Sequence, residues 1–163
     1  MRNKYFKDET ISANDVFFVC SMIERVARAR HLRNRDVANA MGADGLWHEL
    51  SCAPTTHCEN PEKVVADWIA NYNLPEGNVD VLKVDPRLVT CVPTPTQMGG
   101  VYQRLVRDTS APGENESDAI LRVYNHPLCD DIDNYNASAY YEPSYYLAQV
   151  YRDMLKPDTR KSA

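Results

Sequence analysis

The chain has no G-x-G-x-x-G, no G-x-x-x-x-G-K, no G-x-S-x-G and no H-E-x-x-H. The common dinucleotide, phosphate, serine-hydrolase and zinc-protease signatures are therefore missing. No stretch approaches the ~20 apolar residues that a membrane-spanning helix needs. The opening residues, Met1 to Glu9, lack the apolar run of a signal peptide. Five cysteines (Cys20, Cys52, Cys58, Cys91, Cys129) are an odd, scattered set, unlike the dense framework of a small secreted scaffold. Together these absences point to a reducing, cytoplasmic setting with no cofactor.

Cationic excess is also missing. The net charge is −5, and it comes entirely from residues 108–163, which hold ten acids and five bases. Gripping a phosphate backbone depends on cationic neutralisation, so this half is a poor nucleic-acid surface. A chain of 163 residues buries about 69% of its unfolded surface, enough for a core without disulfides.

Apolar spacing of three and four residues is the main structural signal. Val16, Cys20, Ile23 and Ala27 mark a helix over 13–31, capped by Ser12 or Asn14. Asn34 starts a short helix that Gly42 stops, and Leu46, Trp47 and Leu50 form another short turn before Pro54. Asn60-Pro61 opens a helix over 61–72. Val79 to Val84 and Leu88 to Val92 read as two short strands. Thr96 caps a helix over 97–108, Asp108 to Ser117 is a mobile loop, and Ser117 caps a helix through Tyr124. Pro143 opens a last helix, Pro157 stops it, and the final residues fray. The expected fold is mainly α, a compact helical domain with at most a small two-stranded β element. It reads as one domain, 1–163, with a subdivision open into a helical unit 12–74 and a tyrosine-rich acidic unit 78–157.

Seven of the ten tyrosines lie between Tyr124 and Tyr151. Tyrosine favours surfaces that are partly dry and partly hydrogen-bonded. Tyr146 and Tyr151 fall near the apolar face of the last helix and read as core. Tyr140, Tyr141 and Tyr145 are the exposed candidates for a protein interface. Arg25, Arg28, Arg30, Arg33 and Arg35 form the one basic patch. Its readings are a solvated face, an acidic protein partner (through Arg25, Arg28 and Arg33), or nucleic acid. Arg30 lies on the apolar side and is a candidate to pair with a carboxylate, and the acidic tail is a candidate mate for the whole patch.

His48, Cys52, His57 and Cys58 are zinc-ligand types, but H-x3-C-x4-H-C is not a structural zinc spacing, and the plainer reading buries both cysteines. Cys20 reads as inert core and Cys129 as the better exposed thiol, flanked by His126 and Asp130. Asp130, Asp131 and Asp133 lack the calcium-loop pattern and suit a solvated turn or a helix N-terminus. Residues 33–50 invite a helix-turn-helix reading, but His48 and Glu49 stand where apolar residues are wanted. No catalytic residue and no metal ligand is assigned.

Asp15 to Ala27, with Phe17-Phe18 and Ile23-Glu24, Arg35 to Gly42, and Thr56 to Ile69, with His57 just before a helix, resemble a small bacterial family of unknown function. The resemblance covers residues 14–72. Members of that family have a phenylalanine-rich first helix ending in an Ile-Glu pair and are often encoded beside proteins that resemble ADP-ribosyltransferase toxins. The resemblance implies an antitoxin-like or regulatory role. The leading expectation is a non-enzymatic protein-binding protein, its partner a neighbouring gene's product or a second copy. The alternatives are a small enzyme gathering His57, His126 and Cys129, and a DNA-binding regulator using residues 25–50.

Overall fold

In the computed structural model, which describes residues 1–156, the first helix, α1 (Ala13–Arg30), starts with a reciprocal cap. Ser12 Oγ accepts from the Asp15 N–H at 3.3 Å, and Asp15 Oδ2 accepts from the Ser12 N–H at 2.7 Å. Two otherwise unpaired helix donors are satisfied this way. α1 ends at His31, whose φ of 54° turns the chain out of the helix.

α2 (Asn34–Thr56) is two helical segments joined at a kink. Gly42 adopts φ 64° and ψ −180°, outside the helical region, so the first segment stops there as expected and the second carries Leu46 and Leu50. Pro54 does not end the second segment. It lies in the last turn, where Thr55 and Thr56 both donate their hydroxyls to Cys52 O at 2.9 Å. Side chains thus serve a carbonyl at the helix end. α3 (Pro61–Asn71) follows, with Asn60 Oδ1 accepting from the Glu62 N–H.

Residues 72–93 form no strand. Their backbone donors go instead to the free carbonyls at the end of α1: the Gly77 N–H to Arg30 O at 2.7 Å and the Val79 N–H to His31 O at 2.8 Å. Local turns take up others, such as those of Lys83, Val84, Leu88 and Val89, and Val81, Val84 and Val92 pack on the helical core one by one. The alternating valines reflect that packing. The only bridge among the described residues joins Arg2 and Thr10 in the lead-in.

α4 (Pro95–Thr109) is capped by Thr94, not Thr96: Thr94 and Gln97 form a reciprocal box across Pro95. α5 (Glu116–Tyr124) starts one residue before the expected cap, α6 (Leu128–Ile132) follows it, and a 3₁₀ turn covers Ala139–Tyr141. α7 (Ser144–Met154) closes the described chain; Pro157 and the residues after it lie outside the described residues. The protein is mainly helical, as the spacing predicts.

α1 lies at the centre, against α2, α3 and α4; α4 also meets α5 and α7, and α2 meets α5. One continuous core includes Ile23 and Val26 from α1, Leu46 and Leu50 from α2, Trp68 from α3, Met98 and Tyr102 from α4, and Ile120 from α5. α4 approaches α1 closely because Gly99 has no side chain. A Cβ there would stand 2.8 Å from Ser21 Cα. No helix among the described residues is long and apolar enough to cross a membrane.

Candidate functional site

The centre of the molecule is polar. Glu24 lies on the inner face of α1 and is almost fully buried. Its Oε1 accepts from Arg28 Nε at 2.6 Å and from Tyr135 Oη at 2.5 Å. Its Oε2 accepts from Asn34 Nδ2 at 2.6 Å. The same Asn34 amide donates to Asp133 Oδ1 at 3.1 Å, and Tyr102 Oη donates to that oxygen at 2.5 Å. Arg28 Nη2 also donates to Pro93 O at 2.8 Å. Four separate parts of the chain therefore meet at two carboxyl groups, and Arg28 ties in a fifth at Pro93. Asn34 Oδ1 is buried with no partner among the described residues, a cost that the rest of the cluster offsets.

Arg28 supplies one positive charge for two carboxyls. Burial, then the negative charge of Glu24, pushes the Asp133 carboxyl up to about 7, against the pull of its hydrogen bonds from Tyr102 and Asn34. Asp133 faces a cleft of about 220 Å³ bordered by Arg33, Val79 and Val81. A carboxyl that exchanges a proton near neutrality suits acid–base work, but no thiol or imidazole lines that cleft.

The structure divides the arginine patch. Arg28 turns inward, Arg35 pairs with Asp130, and Arg30 donates to Pro75 O and reaches Glu76 at 3.9 Å. Of the acidic half, Asp130 is the one carboxylate among the described residues that pairs with an arginine of the patch; Arg28 and Arg30 pair with Glu24 and Glu76, outside it. Among the described residues, Arg25 and Arg33 make no ion pair. The expected outward role of Arg28 is corrected by its bonds to Glu24 and Tyr135.

The tyrosines divide as well. Tyr124, Tyr135, Tyr140 and Tyr151 are buried. Tyr140, expected outside, is only 7% exposed and packs edge-on to Tyr135, with ring centroids 5.5 Å apart. Tyr146, expected in the core, is 49% exposed, because Leu147, Ala148 and Tyr151 form the inner face of α7. Tyr141 and Tyr145 are 70% and 75% exposed. Tyr146, Val150 and Met154, spaced by four, continue a half-open apolar stripe beside them.

The cysteine and histidine candidates do not assemble. Cys129 is buried, not exposed; its thiol donates to Val123 O at 2.9 Å, and burial pushes its pKa up. Cys20 is buried, and desolvation pushes its thiol up to about 12. His126 stacks on Tyr151 at 3.9 Å and is pushed down by burial and by Arg122. His57 sits at the far end of α2, exposed, with Nδ1 at Ala53 O. Cys52 is half-buried and Cys58 is exposed, so the expectation that both are buried is corrected. His48 Nε2 lies 4.0 Å from Cys52 Sγ, and its Nδ1 meets Tyr5 Oη. Among the described residues no three His, Cys, Asp or Glu side chains are arranged to hold a metal ion. Glu49, in the helix-turn-helix candidate, is buried and accepts from Tyr72 Oη at 2.7 Å.

Sequence reading missed the Glu24–Asp133 cluster. Its signal lay in α1: Glu24 sits one turn after Cys20 on the apolar stripe, with Arg28 at the next turn. It also missed Phe17 and Phe18 as surface: both are half-buried and line an open groove. No protein family, curated protein or solved structure matches the chain.

Proposed function

We propose that this is a non-enzymatic protein-binding protein, antitoxin-like or regulatory in role, that holds its partner on the outer face of α7 and the turn before it. The observation that supports this reading is the pair of phenols at Tyr141 and Tyr145, each left more than two-thirds in solvent. Ring surface of that size makes typical interface anchors. Tyr146 and Met154 extend it, and Arg25 and Arg33 remain available as charged contacts at other points of the surface.

The partner in this reading is the product of a neighbouring gene, of the ADP-ribosyltransferase-like kind. The test is co-expression with that product and size-exclusion of the complex. Tyr141→Ala with Tyr145→Ala should weaken the complex at least tenfold, about 1.4 kcal/mol, while the variant keeps its helical circular dichroism. A complex that forms equally well with the double variant overturns the reading.

A further inference from the structure

We infer that a second surface, the open groove between the lead-in and the end of α2, is a docking site for a basic segment of a partner protein. The groove has a volume of about 750 Å³. One wall is the turn at Asp8 and Glu9, held by the Asn3 N–H to Glu9 O bond (3.0 Å) and the Glu9 N–H to Phe6 O bond (2.9 Å). The other wall is Ala53, Pro54 and His57 at the end of α2. The floor is Phe17 and Phe18 of α1.

Two features decide the occupant. The surface of the groove is mainly apolar and includes the accessible parts of two partly buried phenyl rings. Its charged lining residues are Asp8, Glu9 and Asp15, and no lysine or arginine lines it. Asp15 is committed to the helix cap, but Asp8 and Glu9 make no ion pair among the described residues. Lysine and arginine have the matching shape: apolar stems to lie on the rings and cationic heads to reach the carboxylates at the rim. Complementary charge of this kind selects partners and speeds encounter. The inference does not depend on the tyrosine face.

The experiment uses the full chain and two fluorescein-labelled octapeptides of alternating residues, leucine–arginine and leucine–glutamate. Fluorescence anisotropy should show the basic peptide binding at least tenfold tighter than the acidic one. Asp8→Lys with Glu9→Lys should remove at least tenfold of that affinity, and Tyr145→Ala should leave it unchanged. Amide NMR shifts on titration should cluster in residues 8–18 and 53–57. Equal binding of the two peptides, indifference to the charge reversal, shifts centred elsewhere, or complete displacement by an equal concentration of spermidine would each overturn the inference.

Discussion

At the residue scale, the account turns on groups that are where they are for one physical reason. Asp133 is the clearest. Its folded pKa of about 7 lies above the ordinary carboxyl value of about 4. The folded state therefore binds the extra proton between those values. The stabilisation is fully present below pH ~4 and is lost as pH rises through about 7, to the extent of ~4 kcal/mol. His126 works in the opposite sense: its pKa is pushed down, so its neutral burial costs stability as pH falls below about 6.5. Asp133→Asn keeps an oxygen for Tyr102 and Asn34 but carries no charge. Denaturant titrations at pH 5 and pH 8 should show the variant gaining stability over the parent at pH 8 and little at pH 5. Parallel pH profiles for the two proteins would contradict the assignment. Gly99→Ala is a second residue-level test. The new methyl would meet Ser21 backbone, which cannot yield as a flexible tip would, so ~1–3 kcal/mol of stability should be lost. Ser21→Ala in the same chain should not restore it.

These two residues also show what the sequence let through. Glu24 stands on an apolar stripe, and a glutamate there is a visible exception to the pattern. Its partners Asn34 and Tyr135, and Asp133 that shares the Asn34 amide, are distant in the chain, and no local rule joins them. Gly99-Gly100 is visible as a pair of helix-weakening residues, but the reason, a backbone approach to α1, exists only in three dimensions.

At the scale of elements, capping and spacing decided most of the boundaries. Ser12 and Asn60 cap as expected, and the four-residue rhythm of α1, α3 and α4 is the buried stripe of each. Where an expectation failed, a better partner replaced the expected one: Thr94 and Gln97 form the cap box in place of Thr96. The valines of residues 79–92 suit a strand, but no second strand lies beside them; the Val79 N–H goes to His31 O at the end of α1, and the Val84 and Val89 N–H groups go to local turns. Gly42 breaks the helix as expected, and the chain beyond resumes as helix with Leu46 and Leu50 in the core. Its φ and ψ fall in a region open essentially to glycine alone, and nothing lies within 4 Å of a Cβ placed there. Gly42→Ala should therefore cost ~1–3 kcal/mol through backbone strain. A thermal melt unchanged from the parent would contradict the bend.

At the scale of the whole molecule, the acidic, tyrosine-rich half has two jobs. Part of it closes the core: Tyr124, Tyr135, Tyr140 and Tyr151 are buried, and Asp130 and Asp133 meet groups from the arginine-rich half. The rest, Tyr141, Tyr145 and Tyr146, faces out. Composition shows the concentration of phenols but not this division, since even adjacent Tyr140 and Tyr141, with ring centroids 4.3 Å apart, differ in burial. Stability separates them. Tyr140→Ala should cost about 2–4 kcal/mol, in the range for emptying an aromatic core site, and Tyr145→Ala less than about 0.5 kcal/mol. Comparable losses from both would contradict the division.

The central claim is that the outer face of α7 is a protein-docking surface. The most direct measurement is photo-crosslinking in the native host, with p-benzoylphenylalanine placed at position 145 and, as a control, at exposed Lys63 on α3. The account predicts one discrete adduct from position 145, containing the neighbouring gene's product, and none from position 63. No adduct at position 145, or the same smear from both positions, would contradict it.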